Sequence, residues 1–341
     1  MKKLLNTLYI TTQGAYLHKE GLSLVVRIEK EDKFRAPIHN LEAIVGFGNV
    51  LCSPFLMAFC AENNVAISFL SQYGKFLATV RGPVSGNVLL RRQQYRAADQ
   101  ADQSFHLARN MVFGKISNAR QVLLRGRRDE TGDGDTLSLA SEKLRHTLLS
   151  LERVTDMEAL RGKEGDAAKL YFSCFNHLIT QQADSFSFSE RNRRPPTDPV
   201  NCLLSFYYTL LMHDCSGALQ AVGLDPAVGF LHTDRPGRMS LALDLMEELR
   251  AMFADRLTLS LINRKQIHAG HFDLQESGAV WLNDKGRKIV LDAWQQRKQE
   301  EIVHPFIGEK IKMGLIPHVQ ATLLSRHLRG ELDDYPPFLW K

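Results

Sequence analysis

Three short stretches, far apart in the chain, carry side chains that can bind a divalent cation and act on phosphodiesters. They are Gly162-Lys163-Glu164-Gly165, Gly229-Phe230-Leu231-His232 and Leu243-Asp244-Leu245-Met246-Glu247-Glu248. Carboxylates joined by an imidazole suit Mn²⁺ or Mg²⁺, which prefer oxygen ligands and accept a nitrogen. Asp244 precedes Glu247 by three residues and Glu248 by four, so helical spacing sets these acids on neighbouring faces, beside an apolar stripe of Leu241, Leu245, Leu249 and Met252. Acids in such a place need something positive against them. A metal ion, Arg238, Arg250 or plain solvent each meets that need. Taken singly, His232 also fits a satisfied core or surface histidine. Glu164 also fits an acid in the first turn of a helix opening near Gly162, where the dipole favours negative charge.

The charge distribution points the same way. From Arg81 to Arg128 the chain carries ten basic residues against two acids, Asp99 and Asp102. That local excess of +8 exceeds the net +5 of all 341 residues, so the remainder is net negative. Concentrated basic charge suits a phosphate backbone, because each close contact releases counterions. A solvated helix face is the plainer alternative.

The elements that must position these residues fall into two regions. Short apolar runs at 4–10, 15–17, 22–28, 34–37, 41–45, 65–69 and 76–80, with turn residues between them, predict strands. Ser53-Pro54 opens one helix among them, with serine as cap and proline at the first helical position. Gly82-Pro83-Val84-Ser85-Gly86 marks a boundary, giving a β domain over 1–84 and a mainly helical domain over 87–341. Helical spacing runs over 88–127, breaks at Thr131–Asp135, and resumes over 137–160. Asp198-Pro199 opens a helix, Ser240 is an expected N-cap for Leu241–Phe253, and further helices are expected over 289–302 and 317–328. A strand pair is expected between Leu257–Ile262 and Val280–Leu282. The expected fold class is therefore α+β: a small N-terminal β-sandwich-like domain followed by a larger α-helical one.

Five cysteines show no CxxC and no zinc spacing, which fits reduced, structural thiols. His268-Ala269-Gly270-His271 lacks a supporting cysteine or HExxH, so a separate zinc site is not expected. The N-terminus does not read as a signal peptide, no stretch reaches the length of a membrane span, and a cytoplasmic location is expected.

Spacing cannot join the three stretches, but a resemblance does. Residues 162–172, 191–201, Gly223-Leu224-Asp225-Pro226 through Gly229-Phe230-Leu231-His232, and 244–250 resemble the CRISPR-associated spacer integrases. So do Val45-Gly46-Phe47-Gly48-Asn49-Val50 leading to Ser53-Pro54, and residues 86–95. The resemblance runs over almost the whole chain in order. The Arg-rich middle segment and the Thr131–Asp135 insertion are most similar to the subtype I-C branch.

The resemblance implies that Glu164, His232 and Glu247 are the metal ligands, holding Mn²⁺ or Mg²⁺, and that Asp244 is the additional acid. Some members of the family have Asp where this chain has Glu247; the longer side chain still offers a carboxylate. Tyr171, Arg193 and Asn201 match recurring positions without a derivable role. Arg91, Arg92, Arg125, Arg127, Arg128, Arg191, Arg193 and Arg194 are candidate phosphate contacts. The implied activity is that of a metal-dependent DNA endonuclease and integrase, inserting foreign DNA into a repeat array by attack of a 3′-hydroxyl. The implied partners are prespacer and repeat DNA, a second copy joined through the N-terminal domains, and the small second CRISPR-associated protein in a heterohexamer. A non-catalytic nucleic-acid scaffold and a general branched-DNA repair nuclease are the competing classes.

Overall fold

The structure, a computed structural model, describes residues 6–74, 76–80, 88–128, 134–192 and 195–340. The expected boundary at Gly82–Gly86, residues 131–133 of the expected loop, and Arg81, Arg193 and Arg194 lie outside the described residues.

The described residues up to Val80 form one compact unit, together with Leu291–Gln299. Its strands are β1 (Thr7–Ile10), β2 (Tyr16–Glu20), β3 (Ser23–Ile28), β4 (Glu31–Pro37), β5 (Ala43–Phe47), β6 (Leu51–Cys52), β7 (Ala66–Leu70) and β8 (Phe76–Val80), with β3, β5 and β7 the most buried. They make two four-stranded sheets, in the orders β1-β5-β7-β8 and β4-β3-β2-β6. Leu17 and Leu24 from one sheet and Ile44 and Ile67 from the other share a buried core, the sandwich-like arrangement that the pattern predicts. The two-residue turn between β3 and β4 places Glu29 and Lys30 at φ 49° and 70°, as a tight hairpin with right-twisted strands demands. Helix α1 (Pro54–Glu62) begins as expected, with Ser53 Oγ accepting from the Leu56 amide at 3.2 Å. Gln295 donates from its side-chain amide to the Thr7 carbonyl at 2.7 Å, tying the 291–299 segment to β1.

The second unit comprises the described residues from Val88 to Val290 and from Glu300 onward. Its helices are α2 (Val88–Asp99), α3 (Ala101–Arg128), α4 (Gly134–Ser150), α5 (Met157–Ser173), α6 (Pro199–Ala221), α7 (Ser240–Glu247), α8 (Arg256–Asn263), α9 (Asp284–Gln299) and α10 (Ile316–Leu328). The last residues of α9, Leu291–Gln299, belong to the first unit. Two small antiparallel pairs, β9 (Phe272–Leu274) with β10 (Val280–Leu282) and β11 (Glu301–Val303) with β12 (Lys310–Lys312), complete it. The long helix α3 is the scaffold of this unit: Leu107, Met111, Val112, Ile116 and Leu123 are buried, and it packs against α4, α5 and α7. The chain is thus α+β, with a β-rich N-terminal region followed by helices. Among the described residues, no helix is long and apolar enough to cross a membrane.

Four local expectations are corrected. Leu257–Ile262 is not a strand but most of α8, buried on nearly every face, and β10 pairs with β9 instead. Leu257-Thr258-Leu259-Ser260-Leu261 alternates as a strand would, and burial among the surrounding helices overrides that pattern. The helix expected over 137–160 breaks at 151–156, where Asp156 caps a new one by accepting from the Ala159 amide at 2.8 Å. That cap starts α5 early, so Glu164 sits in mid-helix rather than in a first turn. Ser240 is the first residue of α7 and makes no cap; its hydroxyl donates to the Thr233 carbonyl at 3.2 Å. After Glu247 the α-helix gives way to a π-helical turn over Ala251–Asp255, a distortion often found beside functional sites.

Candidate metal centre

Three elements bring the distant acids and the histidine together, and a fourth adds a residue that spacing does not single out. Helix α5 supplies Glu164. Helix α7 supplies Asp244 and Glu247. The loop ahead of α7 supplies His232 and can lie close only because residue 229 is glycine: a Cβ there would stand 2.7 Å from Asp244 Oδ2 and 2.8 Å from the Ser240 carbonyl carbon. Helix α3 contributes Lys115. Its ammonium donates to Glu164 Oε1 and lies 2.7 Å from Glu247 Oε2. Two carboxylate oxygens on one nitrogen lie within roughly 6 Å of each other, twice the length of a hydrogen bond.

Asp244 is wholly buried and saturated with donors. It accepts from the amides of Phe230 at 2.6 Å, Leu231 at 2.9 Å and His232 at 3.0 Å, and from the His232 ring Nδ1 at 2.6 Å. A carboxylate can only accept there, so Nδ1 carries the hydrogen, and in the neutral ring Nε2 keeps its lone pair. That Nε2 faces Glu247 Oε1 at 3.9 Å. A carboxylate, an imidazole and a second, metal-facing nitrogen are the usual arrangement of a metal-binding histidine.

Glu247 is 3% exposed. Burial opposes its ionisation, but Arg250, Lys115 and His232 outweigh burial and hold the carboxyl at about 2. The Arg250 guanidinium lies 2.9 Å from Glu247 Oε1 and is stacked over the Tyr208 ring at 4.8 Å. Behind it, Tyr171 and Tyr208 donate to Asp255 at 3.1 and 2.7 Å. This gives Tyr171 a role: it ties α5 to the π-helical turn.

Glu248 takes no part in the cluster. One residue on from Glu247, it turns to the opposite side and accepts from the Phe338 amide at 2.7 Å, from the Gln320 amide group at 3.1 Å and from the Tyr335 hydroxyl. Burial pushes its carboxyl up to about 7. Asn201 is likewise structural: its side chain donates to the Glu190 carbonyl at 2.8 Å and accepts from Arg191 at 2.6 Å.

The arginines divide. Arg127, Arg128 and Arg92 are exposed. Arg125 stacks over Trp340 at 3.7 Å, Arg191 bonds Asn201 and Ser205, and Arg91 donates to the Gly223 carbonyl at 3.3 Å, so these three are engaged within the protein. His271 Nδ1 accepts from the His268 amide at 3.0 Å, and His268 Nδ1 lies 2.8 Å from Gln182 Oε1. Among the described residues, the set of three metal-binding side chains with ligand atoms all within 4.8 Å is His18, Glu20 and Asp32. Arg27 and Arg35 already neutralise those acids. In the candidate centre, Lys115 holds Glu164 and Glu247 an ammonium's width apart.

The family model for CRISPR associated protein Cas1 matches residues 8–296. The chain belongs to the Cas1 family. A CRISPR-associated endonuclease Cas1 from Chlorobaculum tepidum is 56% identical to it, with the whole of each chain covered. The solved Cas1 protein from Thermotoga maritima superposes with a TM-score of 0.79 at 25% identity, covering 95% of this chain and 97% of that one. A casposase bound to integration product shares the fold, with a TM-score of 0.84 at 23% identity over 99% of this chain and 95% of that one. The Cas1 match extends over both compact units, so the β-rich region belongs to the family fold as much as the helices do.

Proposed function

We propose that Glu164, His232 and Glu247 hold one Mn²⁺ or Mg²⁺ and that the chain uses it to cut and join DNA during CRISPR adaptation. The enzyme class is the family's, a CRISPR-associated endonuclease with integrase activity. The observation that carries the site assignment is the convergence of Glu164 and Glu247 on one cation, with His232 Nε2 3.9 Å from Glu247. Two carboxylates and an imidazole fit such an ion by donor chemistry.

When bound, the ion supplies Lewis-acid stabilisation of charge on phosphoryl and leaving oxygens. The rest falls to the protein. Asp244 fixes the tautomer and direction of His232. Arg250 and Lys115 keep Glu247 ionised. With neutral imidazole, three acids and two cations leave the cluster at −1. A divalent cation held there would offset that negative charge, and the site would then accept a phosphodiester. The 3′-hydroxyl of an incoming strand then forms a new P–O bond as the repeat's own P–O bond breaks. Water in place of the hydroxyl gives nuclease activity.

The exposed Arg92, Arg127 and Arg128 are the proposed backbone contacts, read without regard to sequence. Pairing of two copies through the N-terminal β domains (1–84), assembly of the helical domains (87–341) with the small second CRISPR-associated protein in a heterohexamer, and a cytoplasmic site of action follow the family resemblance. The subtype I-C assignment rests on the Arg-rich segment and the Thr131–Asp135 insertion.

The test is joining of a labelled prespacer to repeat DNA by the purified protein with its small partner. The wild type should join in Mn²⁺ and not in EDTA, and Glu164→Ala should bind DNA yet not join. Joining by the variant would remove Glu164 from the reaction. Binding without joining by the wild type would favour a scaffold.

A further inference from the structure

The ammonium of Lys115 occupies the place between Glu164 and Glu247 where a shared cation belongs. It comes from α3, whereas Glu164 and Glu247 come from α5 and α7, so it joins all three helices at one point. Its side chain is 17% exposed, that of Glu247 3% and that of Glu164 24%, so water reaches Glu164 but does not replace the ammonium at Glu247. Without it, two like charges would face each other with only Glu164 in contact with water, and they would repel. Arg250 neutralises only the far oxygen of Glu247, at 2.9 Å on Oε1, and leaves Oε2 to Lys115.

We infer that Lys115 is a built-in counter-ion: its ammonium, seated between Glu164 and Glu247, holds the two ligand carboxylates facing each other in the metal-free protein, and it gives up that place when a divalent cation binds. This rests on the assignment of Glu164 and Glu247 as ligands made above. Lys115 is on this account a positioning residue with two opposed effects. It stabilises the empty protein by pairing both acids. It weakens metal binding, because the ion must displace a positive charge already seated between its own ligands. The lysine therefore sets the metal concentration at which the site switches from a closed ion-pair cluster to a loaded centre.

The test uses full-length protein and Mn²⁺ alone as the probe, read by calorimetry and thermal melting. Lys115→Met keeps the stem and removes the charge. It should bind Mn²⁺ roughly tenfold more tightly than wild type, since a unit charge a few ångströms away repels the ion even at high effective dielectric. Its metal-free form should melt below wild type, and saturating Mn²⁺ should close most of that gap. Lys115→Arg retains the charge and should bind Mn²⁺ no more tightly than wild type. Unchanged or weaker binding by Lys115→Met, or a melting gap that persists under saturating Mn²⁺, would overturn the inference.

A measurement on wild-type protein covers the case in which the variant does not fold. Acylation of Lys115, followed by mass spectrometry, should rise when Mn²⁺ is added, because the ammonium is released from its two partners. Labelling that is unchanged or falls would overturn the inference. The two levels separate cleanly. Wild type that binds no Mn²⁺ removes the ligand assignment, and this inference with it. Wild type that binds Mn²⁺, with Glu164→Ala that does not, leaves the assignment standing whatever Lys115 does.

Discussion

Asp244 holds His232 at two points, accepting from its backbone amide at 3.0 Å and from its ring Nδ1 at 2.6 Å. One buried carboxylate thus fixes the position of the loop and the direction of the imidazole. Asp244→Ala would orphan the Phe230, Leu231 and His232 amides together and free the ring. The expected cost is about 3–5 kcal/mol of stability. Mn²⁺ affinity should fall by roughly 10–100-fold, as for other loss of a carboxylate behind a metal-binding histidine. Urea unfolding and calorimetry measure the two effects. A variant that lost affinity but kept full stability would leave Asp244 without its bracing role.

Asp255 gives the chain a pH dependence of its own. Burial pushes its carboxyl from an ordinary 3.8 to about 6, against the downward pull of Tyr208, Tyr171, Arg250 and Arg191. The folded form therefore holds a proton that the unfolded chain has released between those values. The associated stability is fully present below pH 3.8 and is lost as pH rises through about 6. Asp255→Asn can keep both tyrosine contacts, because a phenol can accept as well as donate. Across that window the wild type should lose on the order of 3 kcal/mol relative to Asp255→Asn. Parallel unfolding curves at pH 4 and pH 7, with no change in the difference between the two proteins, would contradict this.

The basic segment should separate into two kinds of arginine. Neutralising the exposed Arg127 and Arg128 should leave melting unchanged and reduce the salt slope of DNA binding by about 0.9 for each phosphate that the protein no longer neutralises. Arg125→Ala should instead lower stability by about 1 kcal/mol through loss of its stacking on Trp340, 3.7 Å away. Salt titrations of DNA affinity for each variant decide it. An unchanged slope for the Arg127/Arg128 pair would mark them as a solvated face.

The difference between these arginines shows where sequence stops being informative. The β-rich region is legible because its apolar runs are short and its turns are punctuated, and the caps at Ser53 and Asp198 are legible because their chemistry is local. Tertiary contacts are not. Lys115 reads as one more charge in a basic run, since nothing on α3 announces that α5 and α7 will set their acids against it. Glu247 and Glu248 are neighbours of one residue type, yet one is held at about 2 by cations and the other is pushed up to about 7 by burial. The π-helical turn after them has no sequence mark, and the alternation over Leu257–Leu261 reads as a strand although the segment is helical.

The central claim is that Glu164, His232 and Glu247 share one cation, and anomalous diffraction from crystals soaked in Mn²⁺ addresses it most directly. One strong anomalous peak is expected roughly 2.0–2.3 Å from a carboxylate oxygen of Glu164, one of Glu247 and the Nε2 of His232, with Lys115 withdrawn from between the acids. A fully soaked crystal with no peak there, or with its peak elsewhere and Lys115 still bridging the two carboxylates, would contradict it.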